Sequence, residues 1–242
     1  MTWVEFDKRR TGKPVAVIPT GAVEVYGPHL PLSSDSIVAE GVAKLVAAKL
    51  EGLCAPLVPV GYSADLMGFP GTLTVQPDAF IAYLDGICES LVHWGLDKFV
   101  FLNTHLGNVA LIDIEADVLG RKFGVKALQI DWWRYSARVC RSIFSSGDLA
   151  VGHAGELGTS VLLFFAQDLC RMEAAVDHIP GPNPWPSGLT PYFDYREYTP
   201  TGVVGKPSEG SLEKGRQIVA QCVDSIVNDC NNFFSTPSQG DK

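Results

Sequence analysis

Three short stretches gather the side chains that could bind a metal or move a proton. The first, Gly21-Ala22-Val23-Glu24-Val25-Tyr26-Gly27-Pro28-His29-Leu30-Pro31-Leu32-Ser33-Ser34-Asp35, sets two carboxylates and an imidazole in a loop rich in glycine and proline. The second is Asn103-Thr104-His105-Leu106-Gly107-Asn108, and the third is Gly152-His153-Ala154-Gly155-Glu156-Leu157-Gly158-Thr159-Ser160, a turn that leads into a helix. Carboxylate oxygens and imidazole nitrogens arriving from separate loops suit zinc, manganese or ferrous iron, and a coordination position left to water makes such a centre catalytic.

Each of these residues also has a plainer reading. Asp35 stands where a helix opens and could do no more than cap it. His29 lies between two prolines and could pack within its loop, bonding only to main chain. Glu156 falls in the first turn of a helix, where a carboxylate favours the dipole. His105 follows an apolar strand with no helix end to explain it, and Glu24 is a carboxylate in an apolar loop that calls for a compensating charge. His93 and His178 lie outside the three stretches and are assigned to structure. Trp132 and Trp133 could line a pocket or serve the core. No Gly-x-Ser-x-Gly elbow and no phosphate-binding P-loop occurs, and no cysteine has a neighbouring histidine.

The elements that must position these residues follow from hydrophobic period. Pro14 to Pro19, Leu53 to Val60, Lys98 to Asn103 and Val125 to Asp131 are short apolar runs that predict strands. Helical spacing predicts helices over Asp35 to Leu50, Asp78 to Trp94 behind Pro77, Asn108 to Phe123, Gly155 to Gln167 and Ser208 to Phe234. Strands alternating with helices of this length imply an α/β fold, a mostly parallel sheet sandwiched between helices. Ligands of such sheets sit beyond the carboxyl ends of the strands, which is where the first two stretches fall. Pro180 to Pro207, rich in proline, glycine and aromatics, reads as a long ordered excursion, a lid or a subunit contact. The 242 residues are expected to form one domain.

Composition narrows the function further. The net charge is −8 with no run of Lys and Arg, which disfavours a nucleic-acid partner. No stretch of about 18 apolar residues suggests a membrane span. Met1 to Phe6 lacks the basic and apolar pattern of a signal peptide, so a cytoplasmic location is expected. Six cysteines without a CxxC pair do not form a disulfide framework, and Cys54, Cys88 and Cys170 read as small buried hydrophobes.

Gly21 to Asp35, Gly68-Phe69-Pro70-Gly71-Thr72, Asn103 to Asn108 and His153 to Ser160 together resemble the motifs of the creatininase family, as do Thr201 to Gly205 and Glu213-Lys214-Gly215 near the C-terminus. The resemblance implies helices packed about a mostly parallel sheet, a homohexamer, and hydrolysis of a non-peptide or cyclic amide C–N bond in a small molecule. It places a divalent metal (Zn, Fe or Mn) on Glu24, Asp35 and His105, with His29 a further candidate ligand, and matches His153 to the family's proton-shuttling histidine. Glu156 is then expected to orient His153 or to support the metal ligands from outside, and Tyr26 to donate to the developing oxyanion.

Several positions depart from the family pattern. Tyr26 stands where the family has a histidine for its second metal, Gly107 where creatininase has an acid, and Gly158 where the third motif has a second glutamate. No histidine precedes the Gly68 stretch, where Asp65 and Leu66 stand. One metal per subunit is therefore expected, and creatinine becomes a poor substrate. Deformylation, amide formation, ring opening and a non-catalytic role remain the alternatives.

Overall fold

The computed structural model describes residues 1–181 and 191–236. The chain enters through helix α1 (Trp3–Arg10) and strand β1 (Ala16–Thr20), then alternates α2 (Ser34–Lys49), β2 (Leu53–Cys54), α3 (Pro77–His93), β3 (Lys98–Asn103), α4 (Val109–Phe123) and β4 (Lys126–Asp131). Helices α5 (Trp132–Val139), α6 (Glu156–Ala166), α7 (Tyr195–Tyr198) and α8 (Leu212–Ser235) follow. The strands form one all-parallel sheet in the order β2-β1-β3-β4.

Side chains alternate across this sheet, so each central strand feeds two cores. Val17 of β1 and Val100 and Leu102 of β3 pack with Val38, Val42, Leu157, Val161, Ile218 and Val223 from α2, α6 and α8. Ala16, Ile18, Phe99 and Phe101 point the other way, onto Phe80, Leu84, Ile112 and Leu119 from α3 and α4. All four of those helix side chains are buried, each contributing about 2 kcal/mol of apolar transfer free energy. The result is the three-layer α/β sandwich expected from the strand and helix pattern.

The chain runs from β1 outward to β2, then returns past β1 to β3. The carboxyl ends of β1 and β3 therefore flank the point where strand order reverses, the usual position of a ligand crevice. Thr20 and Asn103 end these two strands in register.

Three expectations need correction. The second strand is only Leu53–Cys54 rather than Leu53 to Val60, because Pro56 and Pro59 lack the amide hydrogens of a ladder. Val58 alone re-joins the sheet, donating from its amide to the Pro19 carbonyl at 2.9 Å. Helices α1 and α5 are additional. The first has no buried residue and is held by a Thr2–Glu5 capping box, while α5 starts directly after β4 with Asp131 accepting from the Arg134 amide at 3.3 Å. Cys54 is exposed and Cys170 half-buried, so of the three cysteines expected inside only Cys88 is buried. Cys54 faces outward because it follows the inward-facing Leu53 on a strand.

Within the excursion from Pro180 to Pro207, residues 182–190 lie outside the described residues, as do residues 237–242 of the C-terminus. The described part of the excursion holds α7, which packs on the 3-10 turn Ala64–Leu66. Among the described residues no helix is long and apolar enough to cross a membrane.

Candidate metal centre at the ends of β1 and β3

The loop after β1 brings Glu24 under the end of the sheet, the first turn of α2 supplies Asp35, and the residue two beyond β3 supplies His105. All three are buried, with 2%, 1% and 5% of their surface exposed. One ligand atom from each lies within 4.8 Å of the other two. Nδ1 of His105 is 3.0 Å from Glu24 Oε2 and 3.4 Å from Asp35 Oδ2. The edge of a tetrahedron with zinc-like bond lengths is about 3.4 Å.

The hydrogen bonds around His105 decide what that spacing means. Its Nε2 lies 2.7 Å from the Tyr62 carbonyl, an acceptor only, so Nε2 carries hydrogen and donates there. In the neutral ring, Nδ1 then points a lone pair at two carboxylates. That arrangement is repulsive unless a proton or a metal cation lies between them. A fixed imidazole with its far nitrogen anchored on a carbonyl is the usual outer support of a metal-binding histidine. Ser63 completes the support, donating from Oγ to Glu24 Oε2 at 2.8 Å. The donor set therefore fits a divalent cation.

Charge in the cluster is strongly perturbed. Burial and the nearby Glu24 carboxylate push Asp35 up to about 6. Glu24 experiences the same burial, but His105 and His153 outweigh it and hold its carboxyl well below the usual range. Burial would lower His105, yet the Glu24 and Asp35 carboxylates raise it well above an ordinary imidazole. Two carboxylates this deep are tolerable only with positive charge between them.

His153 sits across the cavity from His105. Its Nδ1 is 2.6 Å from the Gly202 carbonyl, so Nδ1 carries hydrogen and Nε2 is the nitrogen free to gain or lose a proton. Nε2 is 3.3 Å from Glu24 Oε1. The turn that holds this ring is tight, since Ala154 next to it has φ +53 and a Cβ on Gly152 would lie 2.1 Å from the Val204 carbonyl oxygen. Tyr26, 4% exposed, lays its ring 4.6 Å from that of His153 and 5.9 Å from that of Trp133. Trp133 donates from Nε1 to Asp35 Oδ1 at 3.2 Å and also to the Thr104 carbonyl. The two open alternatives for the tryptophans thus separate, with Trp133 at the site and Trp132 in the core.

These residues line a cavity of about 290 Å³ that also includes Asp65, Leu66, Leu157 and Tyr195. Two glycines define its floor. A Cβ on Gly107 would fall 2.0 Å from the Tyr62 oxygen and 2.6 Å from His105 Nε2, so any side chain there would break the anchor of the imidazole. A Cβ on Gly158 would meet the Tyr26 ring at 2.8 Å. Tyr26 therefore occupies the space that a side chain at position 158 would need.

Two sequence assignments do not survive. His29 is buried away from the cluster, with Nε2 on Thr159 Oγ1 at 2.9 Å, and burial lowers it to about 4. It is a neutral packing residue rather than a ligand. Glu156 does not touch His153. Burial alone would raise its carboxyl, but the Lys214 ammonium at 2.5 Å and donors from Ser145 and Ser146 outweigh that and hold it below its ordinary value. Glu156 thus pins the 145–146 loop to α8. Lys214→Met is expected to cost about 3 kcal/mol, read as a lower denaturation midpoint, because it strands a buried carboxylate. The double variant Glu156→Leu with Lys214→Met should recover most of that loss.

Sequence reasoning missed Tyr62, Ser63, Asp65 and Tyr195. The Tyr62 contribution is a main-chain carbonyl, which carries no signal in the side-chain pattern. Ser63 and Asp65 lie at a short turn without a period, and Tyr195 opens a helix of only four residues.

The family model for creatininase, described as creatinine amidohydrolase, matches residues 1–230. The creatinine amidohydrolase of Pseudomonas putida is 27% identical over 250 residues, spanning 97% of this chain and 95% of that protein. A mycofactocin precursor peptide peptidase of Mycobacterium tuberculosis is 31% identical over 243 residues, spanning 93% and 87%. A crystal structure of creatinine amidohydrolase (creatininase) superposes with a TM-score of 0.87 at 26% identity, covering 98% of this chain and 97% of that one. Similar solved structures include a mutant creatininase of Zn-Zn type and a creatininase Mn form.

Proposed function

The chain belongs to the creatininase family, and from that premise we propose that it is a metal-dependent hydrolase of a small amide, with one divalent cation held by Glu24, Asp35 and His105. The observation that carries this reading is the lone pair of His105 Nδ1, aimed between two buried carboxylates by the bond from Nε2 to the Tyr62 carbonyl. Glu24, Asp35 and His105 would hold a zinc, manganese or iron(II) ion there, and such an ion would supply Lewis acidity toward an amide carbonyl and a water.

The chain's own residues then do the rest. His153, with Nδ1 held by the Gly202 carbonyl, accepts the proton of the water at Nε2 in its neutral form and returns it to the leaving nitrogen. Burial and the carboxylates of Asp35 and Glu24 raise Tyr26 well above an ordinary phenol, so its hydroxyl stays protonated and can donate to the developing oxyanion. Trp133 fixes Asp35 by its indole hydrogen bond, and Leu66, Leu157 and Val204 exclude water from the far walls. The contact between Tyr26 and Gly158 supports a single metal, because the ring fills the neighbouring space.

The relatives divide between a creatinine amidohydrolase and a peptide peptidase, so the amide C–N bond is the shared element of the reading. A homo-oligomer, a hexamer by the family resemblance, belongs to it as well. An apolar groove of about 920 Å³ beside β2, at the edge of the sheet, supports assembly, with Trp3, Tyr83 and Trp94 exposed along it. The test is amine release from a panel of formamides, lactams and linear amides. The reading expects release that stops on chelation and returns with Zn or Mn; no release from any member with metal bound would refute it.

A further inference from the structure

The cavity beside the cluster holds three carboxylates, Glu24, Asp35 and Asp65, and among the described residues neither Lys nor Arg lines it. Residues 182–190 carry no charged side chain either. Glu24 and Asp35 face His105 and, on the reading above, share a divalent cation whose two charges offset theirs. Asp65 remains. It is exposed on the Ala64–Leu66 turn and, among the described residues, forms no ion pair and no side-chain hydrogen bond. Arg196, the cation on the adjoining helix α7, is committed to the Gly68 carbonyl at 3.1 Å and to the face of Phe69 at 5.8 Å.

The remaining walls favour the same sign of ligand. Tyr26, Trp133 and Tyr195 present aromatic surfaces to the cavity, and the Tyr195 ring stands edge-on to His153 at 5.3 Å. Aromatic faces attract a cation and repel an anion. Tyr195 packs on Leu66 of the turn that carries Asp65, so that carboxylate and that ring belong to the same end of the cavity. A cavity near 290 Å³ admits only a small molecule.

From this arrangement we infer that Asp65 is a specificity-determining residue and that the substrate is a small amide bearing a positively charged amine remote from the scissile bond. The inference rests on the metal-hydrolase reading only for the neutralisation of Glu24 and Asp35. The ammonium lies between the Asp65 carboxylate and the Tyr195 ring, while the amide reaches inward to the cluster. A carboxylate on the same arm meets Asp65 and the aromatic faces, and is rejected.

The experiment compares three amides of matched length, 4-aminobutanamide, pentanamide and succinamate, by calorimetric binding to the zinc-loaded protein. The cationic amide is expected to bind about tenfold more tightly than the neutral one at low salt, with succinamate weakest. Asp65→Asn should bring the first two to near equality without altering metal content or thermal stability, since Asp65 is exposed. Equal or reversed affinities in the wild type, or a preference that survives in Asp65→Asn, would overturn the inference. Metal analysis of the same samples keeps the two claims apart. A protein that binds no metal, yet whose preference for the cation is abolished by Asp65→Asn, refutes the proposed function alone, whereas one that binds metal without the preference refutes this inference alone.

Discussion

His105→Ala is expected to lower metal affinity by at least about 10³ and turnover by a similar or larger factor, since it removes one of three proposed ligands rather than an outer support, whose loss costs about 10–100-fold. The argument is geometric. His105 supplies the only imidazole nitrogen that stands between Glu24 and Asp35 among the described residues, and both carboxylates are buried. Removing the ring also leaves two facing carboxylates without a positive partner, so the metal-free variant should unfold at a lower temperature than the metal-free wild type. Asp35→Asn provides an independent check that removes a charge instead of adding an uncompensated one. It should lose metal while keeping its metal-free stability close to that of the wild type. Elemental analysis after dialysis, together with melting curves with and without metal, reads both effects. A His105→Ala protein that retains metal and full activity would end the proposal.

For His153→Ala the expected signature differs, with kcat reduced about 10²–10⁴-fold and metal content unchanged. The ring lies 3.3 Å from Glu24 but is not one of the three clustered ligands. Its hydrogen bond to the Gly202 carbonyl fixes the tautomer and leaves Nε2 to exchange protons with water and the leaving nitrogen. Burial tends to lower this imidazole, while Glu24 and the Gly202 carbonyl raise it further than burial lowers it. Net elevation means that the acceptor form is gained as pH rises. The wild-type rate should therefore climb with pH along a limb that disappears in His153→Ala. His153→Gln keeps the size and a donor to Gly202 but cannot shuttle a proton, so it should behave like the alanine variant. Loss of metal in either variant would reassign His153 as a ligand.

The sequence made the sheet and most of the cluster legible because both obey short-range rules. Phe99 to Leu102, between Lys98 and Asn103, is a continuous apolar run on an inner strand of the sheet, buried on both faces, so the boundaries of the strand agree with the structure residue for residue. Glu24 and His105 stood out as polar side chains just beyond such strands, and Asp35 as a carboxylate opening the helix that follows. The misassigned residues share a different cause. His29 and Glu156 are as buried as the cluster, and only their partners, Thr159 and Lys214, distinguish packing from chemistry. Thr159 is 130 residues from His29, and Lys214 is 58 from Glu156, so no local pattern reveals either pairing. Helix α1 escaped notice because it buries nothing, although Thr2 and Glu5 spell a capping box. The hydrogen-bond role of Tyr62 could not be read from side chains at all.

The most direct test is an anomalous-scattering map from crystals grown with zinc or manganese. One peak per chain is expected, bonded to Glu24, Asp35 and His105 Nδ1, at about 2.0–2.2 Å for zinc, with no second peak near Tyr26 and Gly158. No density between the three side chains under saturating metal, or a pair of peaks with Tyr26 displaced, would contradict a single cation held at the ends of β1 and β3.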